Sequence, residues 1–298
     1  MSDAAAKAEA QVAKAAKTLK GWSFFGMGSK YEDAAELYEK AANNFKLAKM
    51  WDEAALTFLK LADVHFKLES KHEAASAFVD AANAYKKTDQ LRAVDCLEKA
   101  IDQYTDMGRL SMAAKHHKDV GEILENEGDF QKSMFHFEQA ADLYAGEEQS
   151  STSNTCKLKV AQFSAQLELW QKAVEIYEAV ALQSLDNNLL KFSVKNYLLN
   201  AGLCKVLTEG PTGELIGTSN ALQRYKEMDP SFGDTRECKF ISDIVAAVEE
   251  GDTNAFRDVV TEFDSMSRLD QWKTKVLLKI KALCEAREGV ADGDEDLT

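Results

Sequence analysis

The sequence predicts an all-α fold in which helical hairpins stack side by side and a smaller helical bundle follows them. Only two prolines, Pro211 and Pro230, and 15 glycines interrupt the 298 residues, so helices meet few breakers. Hydrophobic residues make up 45% of the chain, which is enough for a sizeable core. Large apolar residues recur about every 20 residues from Tyr31 onward, and this period indicates repeated helices.

The first 20 residues predict a plain amphipathic helix. They are rich in alanine, carry both acids and lysines, and lack the apolar centre of a signal peptide. The segment "GWSFFGMG" follows, in which three glycines surround Trp22, Phe24 and Phe25. No strand pattern lies on either side. Residues 21–28 are therefore predicted to form a flexible loop that carries three large aromatic side chains.

Six consecutive blocks of about 20 residues form the repeat, from "YEDAAELYEKAANNFKLAKM" to "FQKSMFHFEQAADLYAGEEQ". In the first block, Tyr31, Ala35, Tyr38, Ala42 and Phe45 fall on one helical face. Small residues let helix backbones approach closely, and large residues fill the space beside them. One unit cannot bury its face alone, so the hairpins must stack as in tetratricopeptide repeats. The equivalent positions form three columns: Tyr38, Phe58, Phe78, Leu97, His117, Phe137; Phe45, His65, Tyr85, Tyr104, Leu124, Tyr144; and Ala42, Ala62, Ala82, Ile101, Gly121, Ala141.

The second half of the chain continues the helical pattern after the polar segment "GEEQSSTSNT", residues 146–155, which is predicted to be a loop. A helix is expected from Cys156 to about Glu168, and three more follow. The largest break is "TEGPTGELIG", residues 208–217, to which we assign no function. The repeat fades near Pro230, and the last three helices predict a bundle. The predicted domains are the hairpin array 1–230, the C-terminal bundle 231–290 and an acidic tail 291–298.

Charge and cysteine usage exclude several classes of protein. The net charge of −14 argues against non-specific nucleic-acid binding and against simple electrostatic attraction to anionic membranes. No apolar run approaches the roughly 18 residues of a membrane span. The cysteines are odd in number and contain no C-x-x-C pair, so we expect reduced, mostly buried thiols in a cytosolic protein. They are Cys96, Cys156, Cys204, Cys238 and Cys284.

The sequence contains no convincing catalytic or metal-binding pattern. "GMGSK" lacks the spacing of a phosphate-binding loop and follows no strand. The histidines form no zinc pattern, and His65 and His117 occupy columns of the repeat, where a hydrogen-bonded packing role is expected. We therefore predict no catalytic residues, no metal and no cofactor. A solenoid of helical hairpins presents a surface to other proteins.

Several long segments of the chain resemble the soluble NSF attachment proteins. They include "SKYEDAAELYEKAANNFKLAK", "YTDMGRLSMAAKHH", "KVAQFSAQLELWQKAVEIYE", "EFDSMSRLDQW" and the end "DEDLT", and the resemblance extends from about Gly21 to the C-terminus. It implies a tetratricopeptide-like twisted array of antiparallel helical hairpins with a C-terminal helical bundle. A generic repeat protein would not carry the last two segments.

The resemblance implies an adaptor, not an enzyme. Members of the family bind the four-helix SNARE complex on membranes, recruit the hexameric AAA+ ATPase NSF and stimulate ATP-driven disassembly in vesicle trafficking. We therefore expect a cytoplasmic protein that associates peripherally with membranes and binds no nucleic acid. The alternative is a helical-repeat scaffold for another partner, such as a chaperone, which would not recruit NSF and whose aromatic loop would not bind bilayers.

The resemblance also implies three sets of contact residues. Two of these sets depart from the family pattern. In the SNARE set, Thr155 stands where the family has a lysine, for which Lys157 is a candidate substitute. In the NSF set, Ala246 replaces an acid. The alternatives are that the aromatics only fasten the first helix, that the lysines are scattered and solvated, and that the tail only solubilises. The implied sets are Trp22, Phe24 and Phe25 for the membrane; Lys49, Lys87, Arg109, Lys115, Lys157 and Lys159 for SNAREs; and Glu249, Glu250, Asp294, Glu295, Asp296 and Leu297 for NSF.

Overall fold

The computed structural model describes residues 3–21, 27–212 and 214–295. Within these ranges the chain forms fourteen α-helices and no strand, which confirms the all-α prediction. It divides into two compact units, Met1–Cys156 and Lys157–Thr298. The boundary predicted near residue 230, where the repeat fades, stays a prediction.

The first unit is a stack of helices in which each helix packs on the next. Turns of two to four residues join the helices from α2 onward, and turns this short reverse the chain and make neighbouring helices antiparallel. The helices are α1 Asp3–Lys20, α2 Met27–Leu47, α3 Trp51–Lys67, α4 Lys71–Tyr85, α5 Gln90–Asp106, α6 Leu110–Glu127, α7 Phe130–Gly146 and α8 Ser150–Gln166, of which α8 continues into the second unit.

Because each turn reverses the chain, alternate turns lie on opposite edges of the stack. Two hydrogen bonds join turns on the same edge. The Thr88 hydroxyl donates to Asp52 Oδ1 at 2.6 Å, and the Ser111 hydroxyl donates to Glu147 Oε2 at 2.8 Å. We call the edge with turns 48–50, 86–89 and 128–129 the first edge, and the edge with turns 68–70, 107–109 and 147–149 the second edge.

Most turns share one backbone motif. The second residue after the helix, or the first at Gly128, adopts a left-handed conformation, and the next N–H donates to the carbonyl five residues earlier, as Met50 does to Phe45 at 2.9 Å. Glycine is the usual residue in this conformation, yet only some of these turns have one. The left-handed residues are Lys49, Glu69, Gly108, Gly128, Glu148 and Glu168.

The three predicted columns form the core of the first unit. Ala42, Ala62 and Ala82 are fully buried, as close helix contact requires. At Gly121, an added Cβ would lie 2.8 Å from two ring atoms of Phe137, so the two helices approach too closely there for a side chain.

Of the two histidines in the columns, His65 departs from the prediction. His65 and His117 are half-buried, whereas nearly all other members are buried. The Nδ1 atom of His65 is buried and has no hydrogen-bond partner in the described part of the chain. The expectation of a hydrogen-bonded packing histidine is therefore wrong at this atom.

The second unit buries its own apolar core. The Trp272 indole lies edge-on to the Tyr177 ring at 5.8 Å, and its Nε1 donates to the Gln162 carbonyl at 3.4 Å. The three helices predicted for the C-terminal bundle all form. The remaining helices are α9 Trp170–Leu185, α10 Lys191–Glu209, α11 Ile216–Met228, α12 Arg236–Glu250, α13 Thr253–Met266 and α14 Gln271–Glu295.

The loop predicted over residues 146–155 is wrong, because α8 already begins at Ser150. Ser153 and Asn154 are buried, and the Ser153 hydroxyl donates to the Ala141 carbonyl at 2.8 Å. These polar side chains turn toward the neighbouring helix. The start of α8 therefore depends on a tertiary contact, not on an apolar stripe of its own.

Hydrogen bonds join the described residues on the two sides of the break at 208–217. The Glu209 carboxylate accepts hydrogen bonds from the Thr218 backbone N–H at 2.7 Å and from the Thr218 hydroxyl at 2.9 Å. It also pairs with Lys205 at 3.0 Å. A Cβ on Gly217 would lie 2.1 Å from Glu209 Oε1, so glycine makes room for this carboxylate at the start of α11. The segment thus has a structural role.

The acidic tail begins inside a helix. α14 continues to Glu295, five residues into the predicted tail 291–298. Extending an existing helix needs no new nucleation, so a polar segment can follow a packed one in helical form.

Candidate interaction surfaces

Two of the predicted SNARE-binding lysines lie together on the first edge. Lys49 stands in the turn 48–50 and Lys87 in the turn 86–89, and both side chains are exposed. The hydrogen bond from Thr88 to Asp52 joins these turns. Neither lysine has a carboxylate within ion-pair distance among the described residues, so both charges are available to a partner.

Arg109 and Lys115 lie toward the second edge. Arg109 is exposed at the start of α6, where its side chain makes no capping hydrogen bond, and Lys115 is exposed on that helix. A helix of 17 residues such as α5 is about 25 Å long at about 1.5 Å per residue. Lys49 and Lys87 on the first edge therefore lie about one helix length from Arg109 on the second, and Lys115 lies six residues into α6 from the second edge.

The remaining predicted cations belong to the second unit. Lys157 and Lys159 are half-buried on α8, and the Lys159 ammonium lies 5.9 Å from the centre of the Phe163 ring. Thr155 donates its hydroxyl to the Ser151 carbonyl at 3.0 Å within the same helix. Threonine is neutral, so this position carries no charge where the resemblance implies a lysine.

The acids predicted to contact NSF lie at the end of α12. Glu249 and Glu250 are exposed in its last turn, and neither forms an ion pair in the described part of the chain. Gly251 ends the helix in a left-handed conformation with φ 67°. Ala246, which replaces an acid of the family pattern, is also exposed, one turn earlier.

This turn is held firmly against α14. Arg287 Nη1 donates to the Val248 carbonyl at 3.0 Å, and the Thr253 hydroxyl donates to Glu288 Oε2 at 2.8 Å. A Cβ on Gly251 would lie 3.0 Å from the Glu288 backbone nitrogen, so the turn and α14 touch backbone to backbone. The exposed acids are therefore fixed to the helix that carries the C-terminal tail.

Part of the predicted NSF-binding set and all of the predicted membrane-contact set cannot be placed in this way. Asp294 and Glu295 belong to the last turn of α14, while Asp296 and Leu297 lie outside the described residues. Trp22, Phe24 and Phe25 also lie outside them. The flanking helix ends, Lys20 of α1 and Met27 of α2, lie toward the second edge, because α2 reaches the first edge at its other end.

Sequence reasoning missed several exposed apolar side chains. Leu189 and Phe192, at the turn between α9 and α10, are 87% and 82% exposed. Leu47 and Leu91, on the first edge, are 77% and 58% exposed. The sequence could have indicated their exposure by their position: they lie outside the buried columns, at turns where the helical period does not assign a residue to one face.

A pair of histidines lines a groove between α5, α6 and α7. The Nδ1 atoms of His117 and His136 lie 3.0 Å apart and share one hydrogen bond. Burial lowers the pKa of His117 to about 4 and also lowers the pKa of His136. Glu98 Oε1 lies 3.6 Å from His136 Nε2. Both imidazoles are therefore neutral near pH 7 and serve each other in packing.

The described ranges contain no group of three or more histidine, cysteine, aspartate or glutamate side chains arranged to hold a metal ion. None of the described helices combines the length and the apolar character needed to cross a membrane. All five cysteines are buried free thiols, as predicted.

Comparison with known proteins gives consistent matches over nearly the whole chain. The family model described as "Soluble NSF attachment protein, SNAP" matches residues 6–285. An alpha-soluble NSF attachment protein of Vitis vinifera is 49% identical, over 97% of this chain and 98% of that protein. A beta-soluble NSF attachment protein of Bos taurus is 47% identical over 98% and 95%. The alpha form of Homo sapiens is 45% identical over 95% and 94%.

Proposed function

Because the chain belongs to the soluble NSF attachment protein family, we propose that it binds assembled SNARE complexes on membranes, recruits NSF and stimulates ATP-driven disassembly. Proteins of this family are adaptors, not enzymes. The observation that carries the proposal is exposed, unpaired charge of opposite sign on the two units. Cations stand at the edges of the first unit, and acids stand on a fixed turn of the second.

The SNARE complex suits the spacing of the cations in the first unit. Lys49 and Lys87 lie about 25 Å from the second edge, which carries Arg109, by the length of one helix. Two helices side by side are roughly 20–24 Å wide, so a four-helix bundle can contact both edges at once. An acidic bundle would be attracted over a long range, and association would slow as salt screens the charges.

We assign a smaller share of SNARE binding to Lys157 and Lys159. Both are half-buried, and Lys159 already contacts an aromatic ring. Lys157 would provide the cation that Thr155 lacks. A half-buried lysine with other contacts has less freedom to adapt to a partner than the exposed Lys49 or Lys87.

We assign NSF binding to the α12–α13 turn together with the tail. Glu249 and Glu250 are held against the helix that leads to Asp294, Glu295, Asp296 and Leu297. The acids would steer a basic surface of NSF toward this end of the protein. Leu297 would then supply an apolar anchor after a run of charge.

We assign membrane contact to Trp22, Phe24 and Phe25. Each ring could gain roughly 1.5–3 kcal/mol on burial in an apolar phase. The net charge of −14 opposes binding to anionic lipid, so the loop alone should bind weakly. It becomes effective when a SNARE complex already tethers the protein and raises its local concentration. The protein would act peripherally at the cytoplasmic face of membranes.

A disassembly assay tests the function directly. Purified protein, a preformed SNARE complex, NSF and ATP are mixed, and Leu297→Ala is measured in parallel. We expect the parent to drive disassembly and the variant to bind the SNARE complex but stall. Leu278→Ala is the matched control, because Leu278 is 62% exposed on α14 and has no proposed contact. A parent that neither bridges the two partners nor disassembles SNAREs would leave only a scaffold for another partner.

Liposome flotation tests the aromatic loop. Phe24→Ser/Phe25→Ser should lose flotation with SNARE-bearing liposomes, whereas Phe135→Ser should not, because Phe135 is a half-exposed ring on α7. Equal flotation of the loop variant and the parent would remove the membrane role. A loss of several kcal/mol of stability in the loop variant would show instead that the aromatics fasten the first helix.

A further inference from the structure

The first edge concentrates positive charge at two adjoining turns. Lys46 and Lys49 lie at the turn after α2, and Lys86 and Lys87 lie at the turn after α4. Lys49, Lys86 and Lys87 have no carboxylate within ion-pair distance among the residues that the structure describes. At the third turn of this edge the cation Lys132 pairs with Asp129 at 3.2 Å, so the unpaired positive charge is confined to the first two turns.

The carboxylates at these turns do not neutralise the lysines. Asp52 accepts the Thr88 hydroxyl at 2.6 Å, and Asp89 caps α5 and pairs with Arg92 at 3.3 Å. Glu53, in the first turn of α3, is the third carboxylate near these two turns. Arg92 and the four lysines give five cations against three acids, so these two turns are net positive in a chain with a net charge of −14.

Two large apolar side chains stand among these cations. Leu47, beside Lys46, is 77% exposed, and Leu91, in the first turn of α5, is 58% exposed. A single exposed leucine on a protein surface is ordinary. Two of them on turns joined by a hydrogen bond, with uncompensated lysines around them, form a mixed apolar and basic patch typical of a protein interface.

We propose that Leu47 and Leu91 are apolar anchors of the surface that binds the acidic four-helix SNARE complex. This inference rests on the proposed function and adds contact residues to it. The partner surface must present carboxylates to the lysines and apolar side chains between them. A bilayer fits less well, because the helix ends that flank the aromatic loop lie toward the second edge, about 31 Å away by the length of the 21-residue α2.

Binding of a preformed SNARE complex over a series of salt concentrations tests this assignment. Leu47→Ser/Leu91→Ser should weaken binding about tenfold at every salt concentration, because apolar burial is little affected by screening. Lys49→Ala/Lys87→Ala should instead reduce the slope of affinity against salt. Leu182→Ser/Leu278→Ser is the matched control, since these leucines of the second unit are 56% and 62% exposed and should leave affinity unchanged.

The outcomes separate the inference from the proposed function. If the parent does not bind SNARE complexes, both the proposed function and this inference are wrong. If the parent binds and the Leu47→Ser/Leu91→Ser variant binds equally well, the anchors are wrong and the function stands. If that variant loses only flotation on protein-free anionic vesicles, the patch serves lipid and the inference is overturned. Urea midpoints confirm folding, and Leu91→Gln alone repeats the test with a milder change.

Discussion

Replacing Lys49 with glycine should make the protein more stable and less active. Lys49 adopts a left-handed conformation with φ 58°. That conformation costs a residue with a Cβ about 1–2 kcal/mol. Glycine avoids the cost but loses about 0.5–1 kcal/mol more conformational entropy on folding. The difference leaves a net gain of about 0.5–1 kcal/mol for Lys49→Gly.

The same change removes an exposed, unpaired cation from the first edge. A rim charge contributes roughly 0.2–1 kcal/mol, so SNARE binding should weaken up to about fivefold at low salt. Urea unfolding measures the gain in stability, and a salt series measures the loss of binding. Glu69→Gly is the matched control, because Glu69 has the same φ of 58° on the second edge. It should gain similar stability and keep full binding.

Two results would refute this reasoning. A lower urea midpoint in both glycine variants would show that the left-handed turn residues are not strained. Unchanged binding by Lys49→Gly across all salt concentrations would remove Lys49 from the contact surface. Gly128→Ala supplies the reverse test, because Gly128 has φ 80° and an added Cβ should destabilise by about 1 kcal/mol.

Two further predictions concern the core of the first unit. Burial holds the pKa values of His117 and His136 below the ordinary 6.5, so the unfolded chain binds protons that the folded protein does not. Stability should therefore fall as the pH drops below about 6.5, and urea midpoints between pH 7 and 5 should fall less in His117→Phe. Gly121→Val should destabilise by about 2–3 kcal/mol in urea unfolding, because its first added carbon already lies 2.8 Å from the Phe137 ring; an unchanged midpoint would contradict the close packing.

The architecture could be predicted from sequence because the helical period and the residue sizes agree. Tyr38, Ala42 and Phe45 recur one block after another, and only stacked helices bury such columns together. Gly121 marks a close approach of two helices, since a small residue in that column is what tight packing requires. Local pattern and tertiary contact indicate the same structure at these positions.

Other features depend on contacts between distant residues. The start of α8 needs the Ala141 carbonyl to accept the Ser153 hydroxyl, and no property of "SSTSNT" reveals that partner. The turns of Lys49 and Lys87 are joined by Thr88 and Asp52, which are 36 residues apart. The left-handed conformation of Lys49 could not be predicted from the sequence either, because the usual sequence signal for it is a glycine.

The acids at the end of α12 reverse the usual relation between charge and helix stability. Glu249 and Glu250 place two unpaired carboxylates where the helix dipole favours cations. Glu249→Gln/Glu250→Gln should therefore stabilise the second unit by about 0.3–1 kcal/mol and weaken NSF recruitment. A left-handed backbone conformation does not by itself identify a contact residue, since Glu69 has the same φ as Lys49 but no proposed contact. The two measurements must move in opposite directions: a variant that loses both stability and recruitment would show that these glutamates serve the fold.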